Sequence, residues 1–339
     1  MNRSLPVVVI DPLDGKQTQV YDELIFGGPS ITRRLWVRQS TDDGASWTIP
    51  VQLLLGAPLP RQPTIISSFQ SGPSLLSSPL GGYLLFHHFG GVSPSDIWRQ
   101  TSADGVDWSQ STLVDLGWPN AGGAGAGSGF PSVVRDGATS LTMLYERFAP
   151  DGASPAGLYL SRSTDLGLTW SPQRTLVAED VALGSRAMLA YRASDGRYLA
   201  AYTVSPESGD SRVVVKVTDD ALSWAAPAVL EVQGDNRSPA LVVMPDGVFV
   251  LLYATVAGNQ GDLFFRRSPD GIAWGAEVRL TNSPDNFDST PFGVAGMSTS
   301  TIELYWSRTA DLSGFGGQIV RETVLVEQPD LVFESGFDE

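Results

Sequence analysis

The sequence predicts an all-β fold, a six-bladed β-propeller with four-stranded antiparallel blades, on three observations. Thirty-six glycines, 23 prolines and nine tryptophans punctuate short Val, Leu and Tyr-rich runs, and no long window carries helical amphipathicity. A turn motif that ends in tryptophan recurs five times. A register running from an opening proline to a closing aromatic recurs six times.

The turn motif is clearest where Ser40-Thr41-Asp42-Asp43-Gly44-Ala45-Ser46-Trp47 returns as Ser163-Thr164-Asp165-Leu166-Gly167-Leu168-Thr169-Trp170. Two copies one residue shorter span 102–108 and 268–274, with Asp104, Trp108, Asp270 and Trp274 in the matching places, and a decayed copy spans 218–224 and ends in Trp224. The tryptophans are 61, 62, 54 and 50 residues apart, about one blade each. In a hairpin, the Asp and Ser/Thr oxygens accept turn N–H groups, Gly supplies a positive φ, and Trp packs beneath the turn. Each of the five tryptophans is therefore expected to be buried under its turn. Calcium ligation by Asp42, Asp43 and Asp104 is the other role open to these acids, but no EF-hand-like loop with a closing Glu accompanies them. No metal is expected.

The blade count comes from the register. Pro6, Pro73, Pro131, Pro239 and Pro291 each open a β-branched or leucine run, and Ala187 holds the equivalent place in the fourth unit. Tyr21, Phe86, Tyr145, Tyr202, Tyr253 and Tyr305 close the strands that follow. A third strand leads into each box and a fourth follows its Trp. The sixth unit, from Pro291, has three strands and no box, so an N-terminal strand is expected to complete its sheet and close the ring. Residues 1–329 are read as this one propeller, and 330–339 as an acidic C-terminal tail.

The motif S/T-x-D-x-G-x-T-W resembles the Asp box (BNR repeat) of the sialidase, or neuraminidase, superfamily. The resemblance covers residues 1 to about 328. In that superfamily the boxes lie on the face opposite the active site, and they also occur in non-catalytic propellers, so the resemblance implies a fold more firmly than an activity.

With 37 acidic and 22 basic residues, the net charge of -15 repels a nucleic-acid backbone. No apolar run is long enough to span a membrane. Zero cysteines remove disulfides and thiol chemistry. The apolar stretch at the start is too short for a signal peptide, so a bacterial secreted or periplasmic protein that has lost its signal is the expected setting. A monomer with no cofactor is expected.

Strand direction places the residues before each opening and after each closing around a central funnel. Arg186, Arg237, Arg147, Asp235 and His88 are the candidate ligand-binding residues there, since guanidinium binds carboxylate bidentately. The adjacent His87 and His88 point to opposite faces of a strand, so they cannot chelate as a pair. The glycine-rich stretch Asn120 to Gly129 lacks the Lys-Ser/Thr of a phosphate loop and reads as a funnel loop.

Sialidases seat a carboxylate on three arginines and use a tyrosine, activated by Glu, as nucleophile, with an Asp as acid/base. Here Arg237-Ser238-Pro239 reproduces the family's R-x-P, whereas Arg3-Ser4-Leu5-Pro6 is one residue too long. The place of the tyrosine reads Asn286-Phe287-Asp288. Efficient exo-sialidase turnover is therefore not expected. If the protein cleaves glycosides, Asp288 with Glu146 or Asp22 would be the carboxyl pair. The expected partner is a carbohydrate, with anionic glycans among the candidates. The alternatives are a protein-binding platform and an active exo-α-sialidase or other glycoside hydrolase.

Overall fold

A computed structural model describes residues 2–12, 14–27, 30–54, 69–90, 95–118, 127–148, 155–206, 209–226, 228–229, 234–296, 300–310 and 317–326. The tail at 330–339 and most of the glycine-rich stretch lie outside the described residues.

The described residues hold 23 strands and no helix, in six successive antiparallel runs. The first run is β1 (Asn2–Ile10), β2 (Gln17–Gly27), β3 (Ser30–Ser40) and β4 (Val51–Gln52). The second is β5 (Phe69–Ser77), β6 (Tyr83–Gly90), β7 (Ser95–Ser102) and β8 (Thr112–Leu113), and the third is β9 (Ser128–Arg135), β10 (Leu141–Arg147), β11 (Gly157–Ser163) and β12 (Thr175–Ala178). The fourth is β13 (Met188–Arg192), β14 (Arg197–Val204), β15 (Arg212–Thr218) and β16 (Ala228–Val229). The fifth is β17 (Asp235–Val243), β18 (Phe249–Ala257), β19 (Gln260–Ser268) and β20 (Val278–Arg279). The sixth is β21 (Phe287–Ala295), β22 (Thr301–Thr309) and β23 (Gln318–Leu325).

These runs are hydrogen-bonded into four sheets, which corrects the expectation of six separate ones. The reason is local. A single parallel bridge, Arg33 to Phe69, joins the first two runs, and another, Gly261 to Phe287, joins the last two. The first strands lie next to one another in a circle: β1 neighbours β5, then β5 neighbours β9, β9 β13, β13 β17, β17 β21, and β21 neighbours β1.

The N-terminal strand does not complete the last sheet. Among the described residues β1 pairs with β2 alone, and the sixth run has three strands. The join is made by isolated bonds instead: Arg3 N–H donates to Gly317 O (3.1 Å), Ser307 Oγ donates to Arg3 O (2.7 Å), and the Tyr305 hydroxyl donates to Gln17 Oε1 (2.7 Å).

Second strands are pressed between neighbouring runs and most bury both faces, so β14 and β18 read as nearly continuous apolar stretches, whereas β2 buries Gln17, Thr18, Gln19, Asp22 and Glu23. All seven residues of β10 are buried. All six closing aromatics are buried in the core.

The opening of each run has a feature the sequence does not announce. The residue just before each opening position, Leu5, Gly72, Phe130, Arg186, Ser238 and Thr290, has φ between 48° and 60°. Five of the six inner ladders also skip register there. Five of these left-handed residues are not glycine, at about 1–2 kcal/mol each in backbone strain. Of these residues, Leu5, Phe130, Arg186 and Thr290 line the spaces about the axis.

In the boxes, Asp42 Oδ1 accepts from Ser46 N–H (2.8 Å), Ser40 Oγ accepts from Gly44 N–H (2.8 Å), and Trp47 Nε1 donates to Gly44 O (3.1 Å). Asp165, Ser163 and Trp170 repeat this geometry. Trp170 is buried, while Trp47, Trp108, Trp224 and Trp274 are half-buried, short of the burial expected.

Candidate functional site

Because β1 and β3 run in the same direction, the boxes at the ends of the third strands lie opposite the starts of the first. On that opposite face is a cavity of about 540 Å3, lined by Ser4, Leu5, Leu24, Arg33, Ser71, His88, Phe130, Gly184, Phe287, Ser289, Thr290, Ser307 and Thr309. Three of these, Leu5, Phe130 and Thr290, are left-handed bulge residues.

Asp22 anchors the wall from behind. It is fully buried; Oδ2 accepts from Ser71 Oγ (2.7 Å) and from Arg33 Nη1 (3.1 Å), and Oδ1 accepts from Ser4 Oγ in a short bond. These partners belong to different strands of two runs, and all three face the cavity. Arg33 keeps about a third of its side chain exposed.

Glu146 is also fully buried, and its carboxyl accepts from the backbone N–H groups of Gly184 and Arg186, the latter at 3.1 Å. Burial pushes it up to about 7, against the pull of those two bonds. It therefore holds in place the backbone that brings Gly184 to the wall and Arg186 to the axis. His88 lies against the rings of Phe130 (5.1 Å) and Phe148 (5.9 Å). Burial first, then the charges of His87 and Arg33, lower it to about 3, so its imidazole is neutral at physiological pH. His87 is buried away from the cavity, as alternation along β6 requires.

Other predicted residues are not brought to the cavity. Asp288 is buried and clamped bidentately by Arg308, Nε to Oδ1 at 2.6 Å and Nη2 to Oδ2 at 2.8 Å. Arg237 is exposed and pairs with Asp235. Arg147 is buried against the Trp118 ring, 4.4 Å from its centroid, in a separate small cleft. Arg186 reaches the axis below the cavity rather than its wall.

Sequence reasoning missed Arg33 and the hydroxyls of Ser4, Ser289, Thr290, Ser307 and Thr309. The signal was available for Arg33: third strands begin on the funnel face, and the pair Arg33-Arg34 stands at such a start. Among the described residues no group of three His, Asp or Glu could hold a metal, and no helix is long and apolar enough to cross a membrane.

A family model described as a BNR repeat-like domain matches residues 70–291, and the chain belongs to that family. The class is the sialidase-like β-propeller superfamily. No curated protein matches the chain by sequence. Among solved structures it is similar to a protein of unknown function from Dyadobacter fermentans, at 14% identity and a TM-score of 0.68, covering 96% of this chain and 95% of that one. It is similar to an α-L-arabinofuranosidase from Fusarium graminearum, at 15% identity and 0.65, covering 96% and 93%. It is also similar to the NanB sialidase of Streptococcus pneumoniae, at 11% identity and 0.66, covering 96% and 67%. Identities this low speak to the fold.

Proposed function

We propose that the chain is a glycan-binding propeller that takes a carbohydrate, anionic ones included, in the funnel cavity and does not turn over sialosides efficiently. The observation that carries this reading is the chemistry of the wall: six hydroxyls, one partly exposed guanidinium on Arg33, and the apolar surfaces of Leu5, Phe130 and Phe287. Sugars need that combination, hydrogen-bond partners for their hydroxyls and apolar faces for their C–H surfaces. Arg33 would meet a carboxylate or sulfate.

The carboxyl chemistry favours binding over hydrolysis. Neither Asp, Glu nor Tyr is among the described lining residues. Asp22, Glu146 and Asp288 spend their oxygens on internal bonds. In this reading they position the wall rather than act on substrate. Two of the similar structures are named as acting on glycosides, which adds to the glycan reading. The reading takes 1–329 as one monomeric propeller, with 330–339 as its tail, in a secreted or periplasmic setting where polymeric glycans are met.

The test is a glycan array on the purified chain. Binding that drops at least tenfold in Arg33→Ala and returns in part in Arg33→Lys supports the reading, with a melting curve to confirm folding. A wild-type protein that binds no glycan but captures a protein partner would favour the platform alternative. Release of 4-methylumbelliferone from its sialoside between pH 4 and 8, abolished by mutating a tyrosine, would overturn the non-catalytic part.

A further inference from the structure

Beneath the funnel cavity lies a second, smaller space on the axis, of about 150 Å3, bounded by residues from the first strands of all six runs. Its walls combine apolar side chains, Val7, Met188, Leu241 and Phe292 among them, with Ser74, Ser132 and one charged group, Arg186. We propose that this axial cavity binds a small inorganic anion, halide-sized, on the Arg186 guanidinium.

Arg186 is held there by its backbone. It sits at φ 60°, and Glu146 fixes its N–H. The residue is 8% exposed, yet among the described residues its guanidinium makes a single hydrogen bond, from Nη2 to Pro73 O at 3.5 Å, the outer limit for such a bond. A guanidinium carries five N–H donors. Its carbon also lies 5.9 Å from the Phe292 ring centroid, a weak contact for a buried cation.

The charge count points the same way. Asp22 is the carboxylate whose charge supports Arg186, but its oxygens are bonded to Ser4, Ser71 and Arg33. Two guanidinium groups thus share one carboxylate, and Glu146 offers its oxygens to backbone N–H groups. Burial lowers Arg186 to about 10, with Asp22 opposing, so it stays cationic at neutral pH. A buried cation without a counter-charge is strongly unfavourable, and an anion removes that imbalance. Ser132 on the same wall offers a second donor: its hydroxyl oxygen accepts from Leu189 N–H (2.9 Å), while its proton meets only the Met188 sulfur at 3.9 Å.

Size selects the ligand. The space is well below the ~300–1,000 Å3 of ordinary small-molecule pockets, but it holds several water volumes of ~30 Å3. A halide with one or two waters fits, whereas a linked sugar does not. The inference is independent of what binds in the funnel above.

The test is a sodium bromide soak of wild-type crystals, with data collected at the bromine edge. An anomalous peak in contact with the Arg186 guanidinium is expected, and its absence overturns the proposal, leaving water as the occupant. In solution, the melting temperature should rise by roughly 3 °C in sodium bromide relative to sodium gluconate of equal ionic strength. That halide-specific rise should vanish in Arg186→Met; its persistence there would also overturn the assignment. If Arg186→Met fails to fold, the wild-type soak decides alone.

Discussion

The two ends of the molecule solve the problem of polar groups in different ways. At the box end, each carboxylate bonds N–H groups within four residues of itself, and the turn then hooks onto the preceding run. Gln39 donates to Asp104 O, Arg99 to Leu166 O, Arg162 to Asp220 O and Arg197 to Asp270 O, at 2.6 to 3.1 Å. At the funnel end, bonds join residues far apart in sequence, such as Asp22 with Ser71 and Glu146 with Arg186, and the charges are buried. A local solution can be copied from blade to blade; an assembled one is built once. The box end is therefore scaffold, and individuality resides at the funnel end.

The largest effect that would sharpen this contrast is Trp170→Ala. The ring packs edge-on against Phe86 at 5.8 Å and its N–H is bonded, so its removal should cost about 3–5 kcal/mol. Trp274→Ala should cost visibly less, because that ring is half-buried and its Nε1 has no partner among the described residues. Calorimetry on both variants checks this, and glycan binding should survive in whatever fraction remains folded. Equal losses would show that the boxes are not graded by their burial.

A middle-sized effect lies in pH. His87 and His88, lowered by burial from 6.5 to about 4 and about 3, contribute stability that is full above pH 6.5 and lost as pH falls toward those values. Glu146, raised by burial from 4.5 to about 7, acts oppositely: its contribution is full below pH 4.5 and lost as pH rises toward 7. Two protons outweigh one, so the melting temperature should fall on acidification from pH 6.5 to 4.5. Glu146→Gln removes the opposing group and should steepen that fall by about one proton, ~1.4 kcal/mol per pH unit. An unchanged slope would mean that Glu146 is ionised in the folded protein. The box end titrates elsewhere. Asp42 and Asp165 are held near 2 chiefly by the hydroxyls of Ser46 and Thr169, so their contribution is lost only as pH falls from 3.8 toward 2.

The smallest effect is expected for Arg237→Ala. Its guanidinium is about half exposed and pairs with Asp235, an arrangement worth about 1 kcal/mol or less. Both the melting temperature and funnel binding should be nearly unchanged. A large loss of binding would extend the site to the fifth run and blur the contrast with Arg33.

Legibility followed the same division. The boxes, the opening prolines and the closing aromatics could be read directly, because turn chemistry and core packing act on neighbouring residues and repeat. Arg33 was not read, although it stands at a strand start, because its importance depends on Asp22 across a ladder and Ser71 on the next run. Asp288 and Arg237 looked alike in sequence, each beside an opening proline, yet one is buried under Arg308 and the other is exposed.

By itself, the sequence determined the all-β class, the repeating runs and the end of the molecule that carries the turns, since alternation, proline and the Ser-Asp-Gly-Trp spacing act over a few residues. Only the tertiary structure decided which runs share a sheet, where the ring is joined, and which charges meet at the axis. Those outcomes depend on single bridges such as Arg33 to Phe69 and on left-handed bulges such as Arg186. Whether a charge is buried with its partner or left to the solvent is set by packing between runs, and no spacing along one strand encodes it.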